Sequence, residues 1–200
     1  MIQPKLRRVL PALAILVAFD LVIALIAVLV ISSKEDEKSE PRAVLPAFVE
    51  PDKRDLKPAF ERAARESRLP VALIEALAWR ESRWRAEALN PESGAIGIGQ
   101  LLPETATFVA GELLDDPTLD PADPEDNIRM MARYLRAQVD QFEGDHELAL
   151  AAYLQGSTSV RNEGISPTTA DYLADIAEIR KRFEAAARGN EGSALDPLNQ

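Results

Sequence analysis

The sequence contains no cysteine. That absence removes disulfide frameworks, thiolate nucleophiles and cysteine-held metals together, and it fits any compartment. Histidine is nearly absent as well: the only one is His146, flanked by Asp145 and Glu147 in GDHELAL. A lone histidine at a helix start reads as a surface side chain, so no His-based triad or multi-histidine zinc site is expected. Positive charge is short. Lys5, Arg7, Arg8 and Asp20 are the only charges up to residue 31, so residues 32–200 carry 20 basic and 32 acidic side chains, a net of −12. Such a surface argues against nucleic acid as a partner. No internal repeat and no strand-rich region is present. The glycine-rich stretch SGAIGIGQLLPETA lacks the third glycine of a dinucleotide fingerprint and the GK[ST] of a phosphate loop. The acid-rich ELLDDPTLDPADPEDN lacks the turn glycine and the spacing of a calcium loop, and helix capping with solvation accounts for it better.

What is present begins with an apolar run over residues 9–31, interrupted only by Pro11 and Asp20. It is long enough to cross a bilayer core of about 30 Å as a helix, and neither a short secretory core nor a small-x-small cleavage site is clear. An uncleaved signal anchor is therefore expected. The basic residues precede the span, so residues 1–8 stay in the cytoplasm and the remainder crosses the membrane. The chain is thus expected to be a single-pass membrane protein with its domain on the extracytoplasmic side. Residues 32–55, charged and containing Pro41, Pro46 and Pro51, read as an extended linker.

From residue 56 the pattern turns helical, and residues 56–188 are expected to form one mainly α domain, with 189–200 a disordered tail. LKPAFERAARES is amphipathic and stops before Leu69-Pro70. A second helix is expected from Val71 to Trp84 or Arg85, with Pro70 suited to its first turn. A short one lies near 104–113. Asp123-Pro124-Glu125-Asp126 is a strong helix start, combining an Asp cap, proline and first-turn acids, and that helix ends near Gly144. Two more are expected near 147–153 and 169–187.

Within LIEALAWRESRW, Ile74, Leu77 and Ala78 form an apolar stripe whose next position is Glu81. A salt bridge to Arg85, four residues on, is the plain explanation. The alternative is chemical. An apolar neighbourhood and the negative end of the helix dipole both disfavour the ionised carboxyl and raise its pKa, as a general acid near neutral pH requires. Arg80, Arg83 and Arg85 would oppose that shift if they pointed at it. The glycine-rich stretch likewise admits two readings, a turn-rich connection or a place where a ligand approaches backbone beside the Gln100 amide.

The order RES, SGAIGIGQLLPETA, DPEDNIRMMARYL, ALAAYLQG, PTTADYL resembles the lytic transglycosylase (SLT) domain of the goose-lysozyme-like superfamily, over residues 56 to 183. The resemblance implies an all-α lysozyme-like domain with a cleft for peptidoglycan glycan strands, and no cofactor or metal. It places the single catalytic acid on Glu81 and substrate-binding residues on Ser93, Gln100, Tyr153 and Tyr172. It also implies cleavage between N-acetylmuramic acid and N-acetylglucosamine with a 1,6-anhydromuramyl product, Glu81 acting as acid and then as base. Three positions depart from the pattern: Leu154 replaces the Asn of AYNAG, Thr168 the late Glu, and Met131 a Gly in the NI..G..YL helix. Leu154 and Thr168 motivate a second reading, a non-cleaving peptidoglycan-binding or scaffolding module in an envelope complex.

Overall fold

The computed structural model describes residues 49–194. The expected cytoplasmic segment, the span over 9–31 and most of the linker lie outside the described residues. Among the described residues no helix is long and apolar enough to cross a membrane.

A 3-10 helix, Pro51–Leu56, leads into α1, Lys57–Ser67. The extended linker read as far as residue 55 therefore ends earlier. Four residues after α1 begins α2, Val71–Ser82; Leu69 and Pro70 separate the two as expected. Next come α3, Pro103–Phe108, continued by one π-helical turn, Val109–Leu113; α4, Pro124–Gln141; α5, His146–Gln155; α6, Ser157–Glu163; and α7, Pro167–Ala194. Among the described residues the only extended pairings are isolated bridges, Leu89 with Ile96 and Ile96 with Leu101. The mainly α class holds.

Capping chemistry sets several of these limits. Asp123 Oδ1 accepts the amides of Glu125 and Asp126 (2.9 and 3.0 Å) at the head of α4. Asp145 Oδ1 does the same for Glu147 and Leu148 at α5. Both are N-caps that satisfy otherwise orphaned donors. The other acids of 112–126 serve similar ends: Asp116 accepts the Thr118 hydroxyl, and Asp120 the Ala122 amide. α2 stops at Ser82, two residues short of the shortest expectation, because Arg83 and Trp84 both adopt left-handed conformations (φ 56° and 61°). α7 runs past the expected end at residue 187 to Ala194, into the beginning of the stretch assigned to a disordered tail. No proline interrupts it between Pro167 and Pro197, and its middle is rich in Ala, Glu and Arg. α6 was not expected at all; seven residues with one fully apolar side chain give too little periodicity to detect.

The chain divides into two compact units. Among the described residues, one comprises 50–137 and 171–194, the other 138–170 with Val49. The first is centred on α2, which is buried continuously from Ala72 to Trp79. It is thus a core helix enclosed on all sides rather than the one-striped amphipath its spacing suggests. Phe60, Leu73, Ile74, Leu77, Ile98, Leu101, Ile128, Met131 and Ile176 are fully buried in this unit. An aromatic cluster closes the far side of α2: Trp84 stacks on Phe183 (5.4 Å, 7°), lies 4.4 Å from Phe60 and meets Trp79 edge-on. In the second unit the core is supplied by Val139, Ala149, Ala151 and Ala152, with Val160. Its polar centre is Gln155, which donates to Ser159 Oγ and the Gly164 carbonyl (both 2.9 Å) and accepts from the Ser166 amide and the Thr169 hydroxyl (3.1 and 2.8 Å). All four hydrogen-bonding positions of the amide are filled.

Candidate active site

Glu81 occupies the last turn of α2, half-buried. Its Oε1 accepts the phenolic hydroxyl of Tyr172, brought from α7. Burial pushes the carboxyl up from 4.5 to about 7, and the Tyr172 hydrogen bond and the Arg80 charge only partly offset it. The expected pair with Arg85 does not form. The helix has ended by then, so the i,i+4 geometry is lost, and Arg85 Nε turns back to the Ser82 carbonyl (3.0 Å). Arg80 is also drawn aside: its guanidinium lies 5.0 Å over the Tyr172 ring and pairs with Asp175 (3.3 Å). Of the two readings of this position, the acid with a raised pKa has the geometry.

The turn after Glu81 is pinned at several points. Ser82, buried, donates to the Ile98 carbonyl (2.9 Å) and receives the Arg85 amide (3.1 Å). Trp84 Nε1 donates to the Glu75 carbonyl (3.0 Å), and Lys53 Nζ to the Arg83 carbonyl (3.2 Å). Two successive left-handed non-glycine residues cost of order 1–3 kcal/mol each. These contacts hold them in place and so fix the direction of Glu81.

The glycine-rich segment lies against α4. Asn127, wholly buried, accepts the Gly99 amide (2.7 Å) and donates to the carbonyls of Ile96 (3.2 Å) and Pro121 (2.8 Å). A Cβ at Gly97 would lie 2.4 Å from the Asn127 amide nitrogen, and one at Gly99 would lie 2.7 Å from Met131 Cβ. The glycines are required by protein packing, which favours the turn-rich connection over ligand approach. Met131, one of the three departures, fills the space left by Gly99.

The other predicted site residues fall unevenly. Gln100 is half-buried at φ 47°, and its Nε2 donates to the Ala88 and Gly97 carbonyls (3.3 and 3.1 Å), which leaves Oε1 as the end open to a ligand. Ser93 Oγ accepts the Ala95 amide (3.3 Å) and so shapes the turn before the glycines. Tyr153 is buried on α5, in the unit 138–170, and Leu154 beside it is half-buried. Thr168 is exposed at the head of α7. The structure thus joins Glu81 to Tyr172 directly. It gives Ser93 and Gln100 roles in their own loop.

Sequence reasoning missed Glu75. It is wholly enclosed within α2 and bonded to Lys57 Nζ at 2.7 Å, with its carboxyl raised by burial. The signal was available, an acid inside VALIEALAW. The two acids differ in their partners: burial raises the Glu75 carboxyl against the opposing pull of a lysine, whereas Glu81 has a phenol and partial access to solvent. Asn127 and Ser82 were also missed as fixers of the loop, although both stand in the quoted motifs.

The sequence model of the transglycosylase SLT domain matches residues 58–175, and Glu81 with Tyr172 falls inside it. The chain belongs to this family. Among similar proteins, the peptidoglycan transglycosylase gp16 of Escherichia phage T7 is 30% identical over 124 residues, covering 62% of this chain and 9% of that protein. The soluble lytic murein transglycosylase of Escherichia coli K12 is 31% identical over 113 residues, 51% of this chain and 16% of its own length. The chain therefore spans less than a fifth of the curated relatives it matches. The crystal structure of an inactive mutant of the lytic transglycosylase Slt from Pseudomonas aeruginosa aligns with TM-score 0.57 and 26% identity, over 62% of this chain and 23% of that one. The 70 kDa soluble lytic transglycosylase of Escherichia coli aligns at TM-score 0.61 and 24% identity, over 66% and 24%, a likeness of fold. The SLT match ends in the third turn of α7, so the Trp84–Phe183 stack lies partly beyond it.

Proposed function

We propose that the chain is a peptidoglycan lytic transglycosylase in which Glu81 is the sole catalytic acid. The observation that carries this reading is a half-buried carboxyl raised to about 7 and held by Tyr172. At neutral pH a large fraction of it is protonated, the state a general acid needs. The inactive Pseudomonas relative differs by a Glu-to-Gln change, which agrees with a carboxyl being indispensable in this family.

Glycosidases commonly use two carboxylates; here one serves twice. Protonated Glu81 donates to the glycosidic oxygen between N-acetylmuramic acid and N-acetylglucosamine as the C1–O bond breaks. The muramyl 2-acetamido oxygen stabilises the developing cation at C1. The sugar's 6-hydroxyl oxygen then bonds to C1, and its proton passes to the Glu81 carboxylate. The product is a 1,6-anhydromuramyl end, with no water consumed and the acid regenerated. The Oε1 of Gln100 accepts from a sugar hydroxyl or amide, and Ser93, Tyr153 and Tyr172 contact the strand. Residues 9–31 anchor the chain in the inner membrane, with the domain on the periplasmic side.

Incubation of the intact chain with purified sacculi should release 1,6-anhydromuropeptides detectable by mass spectrometry. Glu81→Gln should reduce release by a factor of at least about 100. Undiminished release by that variant refutes the assignment, and reducing muramyl ends in place of anhydro ends would mean hydrolysis. The second reading, a non-cleaving module motivated by Leu154 and Thr168, wins if sacculi are bound without any cleavage.

A further inference from the structure

A cavity of about 320 Å³ opens in the first unit between α1, α4 and the end of the π-helical turn, lined by Ala63, Glu66, Ser67, Leu114, Arg129 and Arg133. It begins at the C-terminal end of α1, four residues before α2. Glu81 is ten residues further along α2, about 15 Å at 1.5 Å per residue. The cavity is a different place from the acid.

Its two arginines are differently employed. Arg129 is shared between acids: Nε pairs with Glu66 (3.1 Å) and Nη1 with Asp116 (3.7 Å). Arg133 is half-buried, and its Nε donates to the Leu113 carbonyl at 3.2 Å. Among the described residues its two terminal nitrogens have no partner. A guanidinium fixed through Nε and open at Nη1 and Nη2 presents a planar two-donor edge that matches a carboxylate. The surroundings select further. Glu66 and the neighbouring Asp116 repel a multiply charged anion such as phosphate, while leaving the field of Arg133 enough for a single charge. Ala63 and Leu114 give the cavity two apolar walls, suited to a methyl-sized side chain. The π-helical turn supplies the Leu113 carbonyl that orients Arg133, and such turns frequently mark functional positions.

We propose that this cavity binds the free terminal carboxylate of a short peptide with small apolar side chains, Arg133 being its binding residue. The alanine ends of peptidoglycan peptide stems offer such a terminus, so the identity of the natural source rests on the proposed function while the binding itself does not. The site would hold the wall polymer by its peptides, apart from the glycan held at Glu81.

The test uses the intact chain and N-acetyl-alanyl-alanine as probe, followed by NMR shifts of arginine Nε–H groups. Binding is expected with Kd on the order of millimolar, as one charge-assisted bidentate contact in a half-open site gives. The C-terminal amide of the probe and inorganic phosphate should each bind at least tenfold more weakly, a comparison that requires no variant. Arg133→Gln should abolish the difference between acid and amide, Arg133→Lys should reduce it, and Glu81→Gln should leave it unchanged. In a second arm, Glu81→Gln chain should be retained more strongly by whole sacculi than by strands stripped of peptide, and adding Arg133→Gln should remove that preference. Equal binding of acid and amide, tighter binding of phosphate, or indifference to Arg133→Gln overturns the carboxylate site. Probe binding without any preference for peptide-bearing sacculi overturns the wall as its source. Loss of cleavage alone bears only on Glu81.

Discussion

Removing the phenolic oxygen of Tyr172 separates its effect on Glu81 from any contact with substrate. The hydroxyl stabilises the ionised carboxylate, so Tyr172→Phe should raise the Glu81 pKa further above 7. Cleavage by the wild type should fall as pH rises through about 7, as the acid loses its proton. In Tyr172→Phe that basic limb should move to higher pH, with a several-fold lower maximum because the carboxyl is less well oriented. A limb that stays in place or moves down would show that Tyr172 does not govern Glu81. At this scale the sequence disclosed much: the break in an apolar helix and the order of motifs led to Glu81 and Tyr172. It did not disclose Glu75, because whether a buried acid is neutral or salt-bridged depends on Lys57, eighteen residues away in sequence. Nor did it foresee that the Gln100 amide would be occupied by its own loop, since backbone carbonyls leave no trace in composition.

The helices were legible where caps or breakers mark them. Asp123 and Leu69-Pro70 fall where expected, because each acts within a few residues of itself, and Asp145 caps the helix expected near 147. The end of α2 was misjudged because its left-handed residues are an arginine and a tryptophan rather than a glycine. Tertiary contacts to Glu75, Phe183 and Ile98 impose that turn, and local propensity opposes it. α6 and the loop before α7 likewise depend on one distant side chain. Gln155 joins the end of α5, α6, the Gly164 carbonyl and the head of α7. Gln155→Glu keeps its shape but removes both donors and sets a charge against the Gly164 carbonyl. It should cost about 3 kcal/mol, lowering the Tm by roughly 6–12 °C. A change of less than about 2 °C by calorimetry would mean that the network is not a support.

For the molecule as a whole, the raised carboxyl at Glu81 has a thermodynamic counterpart. The folded chain holds that proton more tightly than the unfolded chain, about 7 against 4.5. Its stabilising contribution is complete below pH 4.5 and lost as pH rises through 7. Glu81→Gln should therefore raise the Tm relative to the wild type by a few degrees at pH 8. The gap should close or reverse near pH 4, as thermal denaturation at the two pH values can show. An offset identical at both would mean that Glu81 ionises in the folded chain as it does in water. The all-α class was readable from periodicity and caps, whereas the enclosure of α2 on every side was not, because burial is decided by what the rest of the chain brings to it.

The fit of Met131 into the hollow over Gly99 also constrains how such a sequence could have arisen or could drift. With a Cβ at residue 99 only 2.7 Å from that of Met131, even alanine is blocked while methionine remains. The order of events is consequently one-way: because the clash is with the Met131 Cβ itself, residue 131 must become glycine before residue 99 can carry a side chain. Removing bulk at residue 131 alone leaves a hollow, whereas enlarging residue 99 alone meets the steric barrier.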